Sequence, residues 1–187
     1  MLDPKKNLLF KRMVALNADV KSYTANFTFD VAMRSFPFLS PSLTGTLYYK
    51  KPKQAVVFDT VPSLASQFKK IYPNLDPPST WPAIYNVAVM SDDGSTTLFR
   101  LQPKKNGRVE HLDVKVADDL ATVEEMTWTY KDGGFVTFDQ TFSKVGSGEL
   151  PQKLTGHVEL PAYKADVVSA VTGYKLNVPV DDAVFSK

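Results

Sequence analysis

One segment of this chain, Ser22-Tyr-Thr-Ala-Asn-Phe-Thr-Phe-Asp-Val-Ala-Met-Arg34, determines its fold class. Apolar and polar residues alternate along nearly the whole segment, and Ala32 is the one break in the pattern. Successive side chains of a β-strand point to opposite faces, so this period of two predicts one long strand. One face of that strand is apolar and the other is in contact with water, as is typical of an antiparallel sheet.

Turn signals divide the second half of the chain into further runs rich in Val, Thr, Phe and Tyr. They are Asp93-Gly94, Asn106-Gly107, Asp132-Gly133-Gly134 and Gly146-Ser-Gly148. Besides the first strand, we predict strands near 43–50, 54–60, 84–91, 96–102, 108–116, 123–131, 134–143, 152–160, 164–171 and 173–178. Roughly ten strands of this kind predict a strongly curved antiparallel sheet.

Two segments have the apolar spacing of amphipathic helices. The first is residues 5–19, and the second is residues 62–72, which begins at a proline that a helix accepts in its first turn. A proline-containing aromatic loop at 35–41 and an irregular connection at 73–83 complete the chain. The pattern therefore predicts an α+β, mainly β fold in one domain, residues 1–187, with the helices covering the concave face of the sheet.

Composition excludes several classes of function. The 187 residues are 43% apolar, carry a formal charge of +2 and include no cysteine. A charge this small gives no signature of nucleic-acid binding, and thiolate chemistry is excluded. No run is long and apolar enough for a membrane span, and Met1-Leu-Asp-Pro-Lys-Lys6 lacks the apolar stretch of a signal peptide. We expect either a cytosolic protein or a mature region without its export signal.

No catalytic or metal-binding constellation stands out. His111 and His157 lie in strand-like segments without a nucleophile and an acid nearby in sequence. Asp92-Asp93-Gly94 lacks the remaining ligands of a calcium loop and is better interpreted as a hairpin turn. Adjacent acidic pairs such as Glu124-Glu125 would face opposite sides of a strand. We therefore expect no enzyme, no metal and no cofactor.

Four stretches together resemble the outer-membrane lipoprotein carrier and sorting proteins of the LolA/LolB-like superfamily. They are Val20 to Thr28, Leu43 to Pro52, Leu98 to Lys104 and Tyr174 to Asp182, in this order and at similar spacing. The resemblance implies an unclosed β-barrel whose apolar concave face, under a helical lid, accepts acyl chains. It also favours a mature, exported protein of the periplasm or cell envelope.

The resemblance implies a set of site residues. The expected wall of the hydrophobic cavity is Tyr23, Phe27, Phe29, Val31, Met33, Leu47, Tyr49, Met126, Trp128, Phe138 and Phe142. The expected lid residues are Leu64, Phe68, Ile71 and Tyr72, and Lys51 is a candidate latch for the lid, at a position where the carriers have an arginine. The loop residues Phe36, Phe38 and Leu39 either contact a membrane surface, cap the cavity mouth or fold back onto the barrel.

The leading hypothesis is a non-enzymatic, extracytoplasmic carrier of a lipid, or of lipoprotein acyl chains. Its expected partners are these acyl chains and a donor or acceptor in the membrane, with no nucleic acid, and we expect a monomer. An interaction or scaffold module with a filled barrel core is the alternative. An enzyme acting on a lipid-like substrate would require His111 or His157 to meet a carboxylate in a pocket.

Overall fold

The computed structural model of the protein describes residues 7–38, 40–59 and 75–186. Within these ranges a single sheet contains ten strands. They are β1 (Ser22–Met33), β2 (Ser42–Lys50), β3 (Lys53–Phe58), β4 (Tyr85–Asp92), β5 (Thr96–Pro103), β6 (Val109–Ala117), β7 (Thr122–Tyr130), β8 (Phe135–Val145), β9 (Gly148–Leu160) and β10 (Tyr163–Leu176). Helix α1 covers Leu8–Ala15, helix α2 is the single turn Trp81–Ile84, and short 3-10 turns occupy Pro78–Thr80 and Asp182–Ser186.

The strands follow the order β3-β2-β1-β10-β9-β8-β7-β6-β5-β4, and every neighbouring pair is antiparallel. Strands β3 and β4 are the two edges, so the sheet is not closed into a barrel. The last strand, β10, inserts beside the first strand and joins the two halves of the sheet. This confirms the predicted mainly β fold with an unclosed antiparallel sheet.

The sheet is strongly curved, as contacts between distant strands show. Leu47 on β2 and Met126 on β7 line one cavity, although five strand-to-strand steps separate β2 from β7. In a flat sheet, five spacings of about 4.8 Å would hold these strands about 24 Å apart. The sheet therefore curls around its apolar face.

Strand β1 has the face alternation that its sequence predicts. The side chains of its odd-numbered residues from Tyr23 to Met33 are all buried, and most of the others are exposed. Phe27 lies opposite Gly45 of β2 on one side and Val171 of β10 on the other. The aromatic face of β1 thus forms the centre of the core.

Helix α1 covers part of the concave face with its apolar side. The side chain of Asn7 accepts a hydrogen bond from the backbone N–H of Phe10 at 3.0 Å and caps the helix. Phe10 and Met13 are its buried residues, and the ring of Phe10 lies 5.9 Å from that of Trp81 and 6.4 Å from that of Phe99. This aromatic cluster fills the end of the concavity near β4 and β5.

Three sequence predictions differ from the structure. The two predicted strands 164–171 and 173–178 form the single strand β10. Its register with β1 is irregular near Gly173, whose φ of +65° lets the strand continue beyond this point. Helix α1 ends at Ala15 instead of residue 19, and turns follow it. The connection 73–83, predicted as irregular, contains helical turns from residue 78 onward. The helix predicted at 62–72 lies outside the described residues.

Gly156 of β9 allows close packing against Phe138 of β8, which lies directly opposite. A Cβ atom on Gly156 would lie 2.2 Å from Cε1 of Phe138. We predict that Gly156→Ala lowers the free energy of unfolding by about 1 to 3 kcal/mol, because the buried ring has to move. Urea denaturation followed by circular dichroism measures the change.

Gly107→Ala is the matched control, because a Cβ atom there meets nothing within 4 Å. Its effect should stay within about 0.5 kcal/mol. Adding Phe138→Leu to Gly156→Ala should cost less than the sum of the two single changes, since the smaller side chain relieves the clash. Equal stabilities of the two alanine variants would contradict this account of the packing.

Candidate ligand cavity on the concave face

An outer chamber of about 240 Å³ lies on the concave side between the end of α1, the start of β1 and strands β7 to β9. Most of its lining is apolar. The lining side chains include Met13, Leu16, Val20, Tyr23, Tyr49, Leu75, Val123, Phe142 and Leu150. Residues from both halves of the sheet meet here, so the chamber exists only because the sheet is curved.

An inner chamber of about 160 Å³ adjoins the outer one. The two share Tyr23, Gln54, Leu75, Gln140 and Pro151 in their linings. The further apolar lining of the inner chamber comes from Leu47, Met126, Leu154 and Val171. The two chambers, together called the path, lie side by side along the concave face, from the start of β1 towards the middle of the sheet.

A third space, the mouth, of about 410 Å³, lies next to the outer chamber. Both are lined by Tyr49, Pro52, Gln54, Leu75, Asp76 and Pro77, and the mouth adds Lys53 and Phe185. Lys50 donates a hydrogen bond to Asp182 at 2.8 Å, which ties the C-terminal 3-10 turn to the end of β2. The path therefore ends in a polar rim.

Hydrogen bonds keep the walls in place. Asn17, in the left-handed conformation at φ +59°, donates to the backbone carbonyl of Glu149 at 2.7 Å and accepts from its N–H at 2.8 Å. This pair ties the chain after α1 to the start of β9. Gln140 donates to the backbone carbonyl of Val123 at 3.1 Å, so its amide joins β8 to β7 beside the cavity.

Aromatic hydroxyl groups line or flank the mouth. Tyr23 stacks on Tyr49 with ring centres 4.9 Å apart, and burial raises the pKa of the Tyr49 hydroxyl. The hydroxyl of Tyr85 donates to Asp76 at 2.9 Å, and burial, followed by this hydrogen bond, raises the pKa of Tyr85. Both phenols are therefore neutral hydrogen-bonding groups at physiological pH.

The residues predicted as cavity wall fall into two groups. One group lines at least one of the three spaces and consists of Tyr23, Leu47, Tyr49, Met126 and Phe142. The others are buried in the core and contribute to none of these three linings: Phe27, Phe29, Val31, Met33, Trp128 and Phe138. Alternation along a strand identifies the inward face, but it does not distinguish cavity wall from filled core.

The predicted lid residues Leu64, Phe68, Ile71 and Tyr72, and Leu39 of the aromatic loop, lie outside the described residues. Lys51 lines the outer chamber. Its role as a latch stays a prediction.

Several lining residues are absent from the sequence prediction. Gln140 shares a face with Phe138 and Phe142 in the alternation of its strand, and Val171 continues the buried series of Val167 and Ser169. The alternation along these two strands could have identified both positions as inward-facing. Leu75 in the proline-rich connection had no periodic signal, and only the tertiary structure brings it to the cavity.

Each histidine contacts a carboxylate, but outside the three spaces described above. His111 lies 3.7 Å from Asp113, which also accepts two hydrogen bonds from Arg100. His157 contacts Asp166 at 2.8 Å and is partly exposed. Neither histidine belongs to the linings described above. Among the described residues, no group of acidic or histidine side chains is arranged to hold a metal ion, and no helix is long and apolar enough to cross a membrane.

The aromatic loop after β1 extends away from the core. Phe38 is 88% exposed and Phe36 is 46% exposed, and their rings lie 6.3 Å apart. The backbone N–H of Arg34 donates to the carbonyl of Lys164 at 2.9 Å, and the N–H of Lys164 donates to the hydroxyl of Ser35 at 2.9 Å. The base of this loop is therefore attached to the start of β10.

An ion-pair cluster reinforces that attachment. Glu159 pairs with Lys164 at 2.7 Å and with Arg34, which also lies 3.4 Å from Asp166. The hydrogen bonds from Lys164 and then from Arg34 lower the pKa of Glu159 from its ordinary 4.5 to about 2. The base of the loop is thus held by backbone and charged groups, while Phe38 near its tip is exposed.

Comparison with solved structures identifies neighbours over almost the full chain. A DUF1329 family protein from Desulfovibrio piger has a TM-score of 0.70 at 14% identity, and the match covers 98% of this chain and 98% of that one. A putative outer membrane lipoprotein-sorting protein domain from Vibrio parahaemolyticus has a TM-score of 0.70 at 9% identity, covering 98% of this chain and 97% of that one. A LolA superfamily protein from Nitrosomonas europaea has a TM-score of 0.62 at 11% identity, covering 100% and 99%.

The fold is therefore LolA-like, and the resemblance seen in the sequence is confirmed for the fold. No protein-family model matches the chain, and a search of curated proteins gives no match.

We predict that the carboxyl group of Glu159 titrates near pH 2 in the folded protein. Because folding lowers its pKa, the group stabilises the protein fully above its unfolded-state value near 4.5, and this contribution is lost as the pH falls through about 2. Carboxyl carbon shifts in an NMR titration measure the pKa. Lys164→Gln should raise it, whereas Lys105→Gln should not, and a Glu159 that titrates near 4.5 would contradict the ion-pair geometry.

Proposed function

We propose that this protein is a non-enzymatic carrier that binds a lipid, or the acyl chains of a lipoprotein, in the path of cavities on its concave face. The proposal assigns it to the cell envelope, outside the cytoplasm, where a carrier receives its ligand from one membrane-associated donor and passes it to an acceptor. The lining residues of the two chambers are its binding residues.

The observation that carries the proposal is that two mainly apolar chambers adjoin each other on the concave face. The inner one is lined by Leu47, Met126 and Val171, and it shares five lining residues with the outer one. Met126 is a flexible side chain of the kind that adapts to irregular apolar ligands. A flexible hydrocarbon requires such a shape-tolerant wall and no fixed polar contact along its length.

The energetics suit an acyl chain. Each methylene that leaves water contributes about 0.8 kcal/mol. Ligand sites for small molecules usually occupy about 300 to 1,000 Å³, and the two chambers individually lie below this range. The proposal therefore includes some widening of the path when the ligand enters, which sliding of flexible side chains such as Met126 provides.

The fold neighbours agree with a sorting or transport role. The Vibrio parahaemolyticus structure is described as a putative outer membrane lipoprotein-sorting domain, and a LolA superfamily protein shares the fold. These likenesses support the proposed location and ligand class. The mainly apolar chambers independently support the ligand class.

A scaffold module is the second candidate, and one observation favours it. The concavity is already filled at the end where Phe10, Trp81 and Phe99 pack together, and Phe38 is exposed on the aromatic loop. A protein with a mostly filled core and an exposed aromatic loop can recognise a partner without binding lipid. Lipid analysis separates the two candidates.

Native mass spectrometry of the purified protein, followed by organic extraction, tests the carrier proposal. A co-purified lipid at one-to-one stoichiometry would support the carrier and identify its ligand class. A ligand-free mass, combined with failure to take up a fluorescent fatty acid, would refute the carrier and favour the scaffold.

Filling the inner chamber should block uptake. Val171 lines this chamber and is 7% exposed, so Val171→Phe places a ring in the path of the ligand. Losing room for about two methylenes, at about 0.8 kcal/mol each, should weaken fatty-acid binding about tenfold. Fluorescence titration with the fatty-acid probe measures the Kd.

Val168→Phe is the matched control, because Val168 lies on the same strand, faces the opposite side and is 43% exposed. It should bind the probe like the unaltered protein. Circular dichroism should show both variants folded. Equal affinities of the two folded variants would exclude the inner chamber as the binding path.

A further inference from the structure

We propose that the mouth binds the anionic head group, a phosphate or carboxylate, of the carried lipid. This inference rests on the proposed function and adds the chemical class of the ligand. The bound molecule is then an amphiphile whose acyl chain lies in the two chambers and whose charged end stays at the polar rim.

The polarity of the lining changes along the path. Apolar side chains such as Leu47 predominate in the inner chamber, where Lys153 is the one charged residue among the described lining residues. The mouth is smaller in apolar share, because Lys53 and Asp76 line it beside residues such as Phe185. A ligand that is apolar throughout would leave these polar groups without water and without partners. A ligand with a polar end lets them keep hydrogen-bonding partners.

Cationic groups are concentrated at this rim by the tight turn between β2 and β3. The four residues 50–53, which form this turn, include Lys50, Lys51 and Lys53. Lys50 lies opposite Lys53 in the strand pairing. Lys51 lines the outer chamber and Lys53 lines the mouth. Two lysines therefore line the region where the outer chamber meets the mouth.

Of these two lysines, only Lys53 has a carboxylate partner among the described residues. Asp182 is bound by Lys50 at 2.8 Å and lies 3.9 Å from Lys53. Lys51 takes part in no ion pair within the described part of the chain.

The remaining carboxylate of the mouth already has a donor. Asp76 accepts the hydroxyl hydrogen of Tyr85. Further along the path, Lys153 lines the inner chamber and Glu149 the outer one, with opposite charges. Lys51 is therefore the cation of this lining that an anionic head group can reach without displacing a carboxylate of the described residues.

Two lipids that share one acyl chain and differ in charge test the inference. These are 1-palmitoyl-lysophosphatidate and 1-palmitoylglycerol, titrated by calorimetry below their micelle-forming concentrations. Because exposed ion pairs contribute modestly, two lysines should favour the phosphate-bearing lipid about twofold to thirtyfold. High salt should reduce this preference by screening the charges.

The variant Lys51→Gln/Lys53→Gln should lose the preference while retaining its affinity for palmitoylglycerol. Lys105→Gln/Lys144→Gln removes the same number of charges from exposed positions outside the three linings and should keep the preference. Inorganic phosphate alone should give no binding heat, since the acyl chain supplies most of the affinity.

Each contrary result has a separate meaning. Equal affinities of the unaltered protein for the two lipids would overturn the head-group inference and leave the carrier proposal standing. Binding of inorganic phosphate as tight as that of lysophosphatidate would show a site for a free anion and overturn it too. No binding of either lipid would refute the carrier proposal and the inference together.

Discussion

Burial of the apolar face of β1 is the constraint on which the rest of the structure depends. This strand is 12 residues long, and Phe27 and Phe29 on its inner face are almost completely buried. Because the side-chain period of a strand is two, a register slip of one residue would exchange the buried and exposed faces. The pairing of β1 with β2 and β10 is therefore strongly specified, and a curved sheet is the means by which so large an apolar face leaves water.

Curvature divides the concave side into two regions with different physical character. Near β4 and β5 the rings of Phe10, Trp81 and Phe99 fill the space and give the sheet a solid core. Near the start of β1 the lining includes Gln140 and Tyr49, and space remains between the walls. A carrier requires both regions, since the filled region stabilises a fold whose other region stays open.

Most of the ion pairs lie around this interior and outside the linings of the two chambers. The ion pair of Lys50 with Asp182 holds the C-terminal turn beside the mouth. The ion pair of Arg34 with Glu159 holds the base of the aromatic loop, at the end of β1. Exposed ion pairs contribute little stability individually. Their main effect here is to position the C-terminal turn and the aromatic loop at opposite ends of β1.

The sequence by itself determined the fold class, the strand count to within one and the inward face of β1, because a period of two is a local property of the chain. It also separated charged turns such as 50–53 from apolar strands. The tertiary structure decided which inward residues became cavity and which became core: Phe138 packs against Gly156, whereas Phe142 on the same strand reaches the outer chamber. It also joined two predicted strands at Gly173 and brought Leu75 to the cavity. These outcomes depend on the curvature and register of the whole sheet, which no local pattern contains.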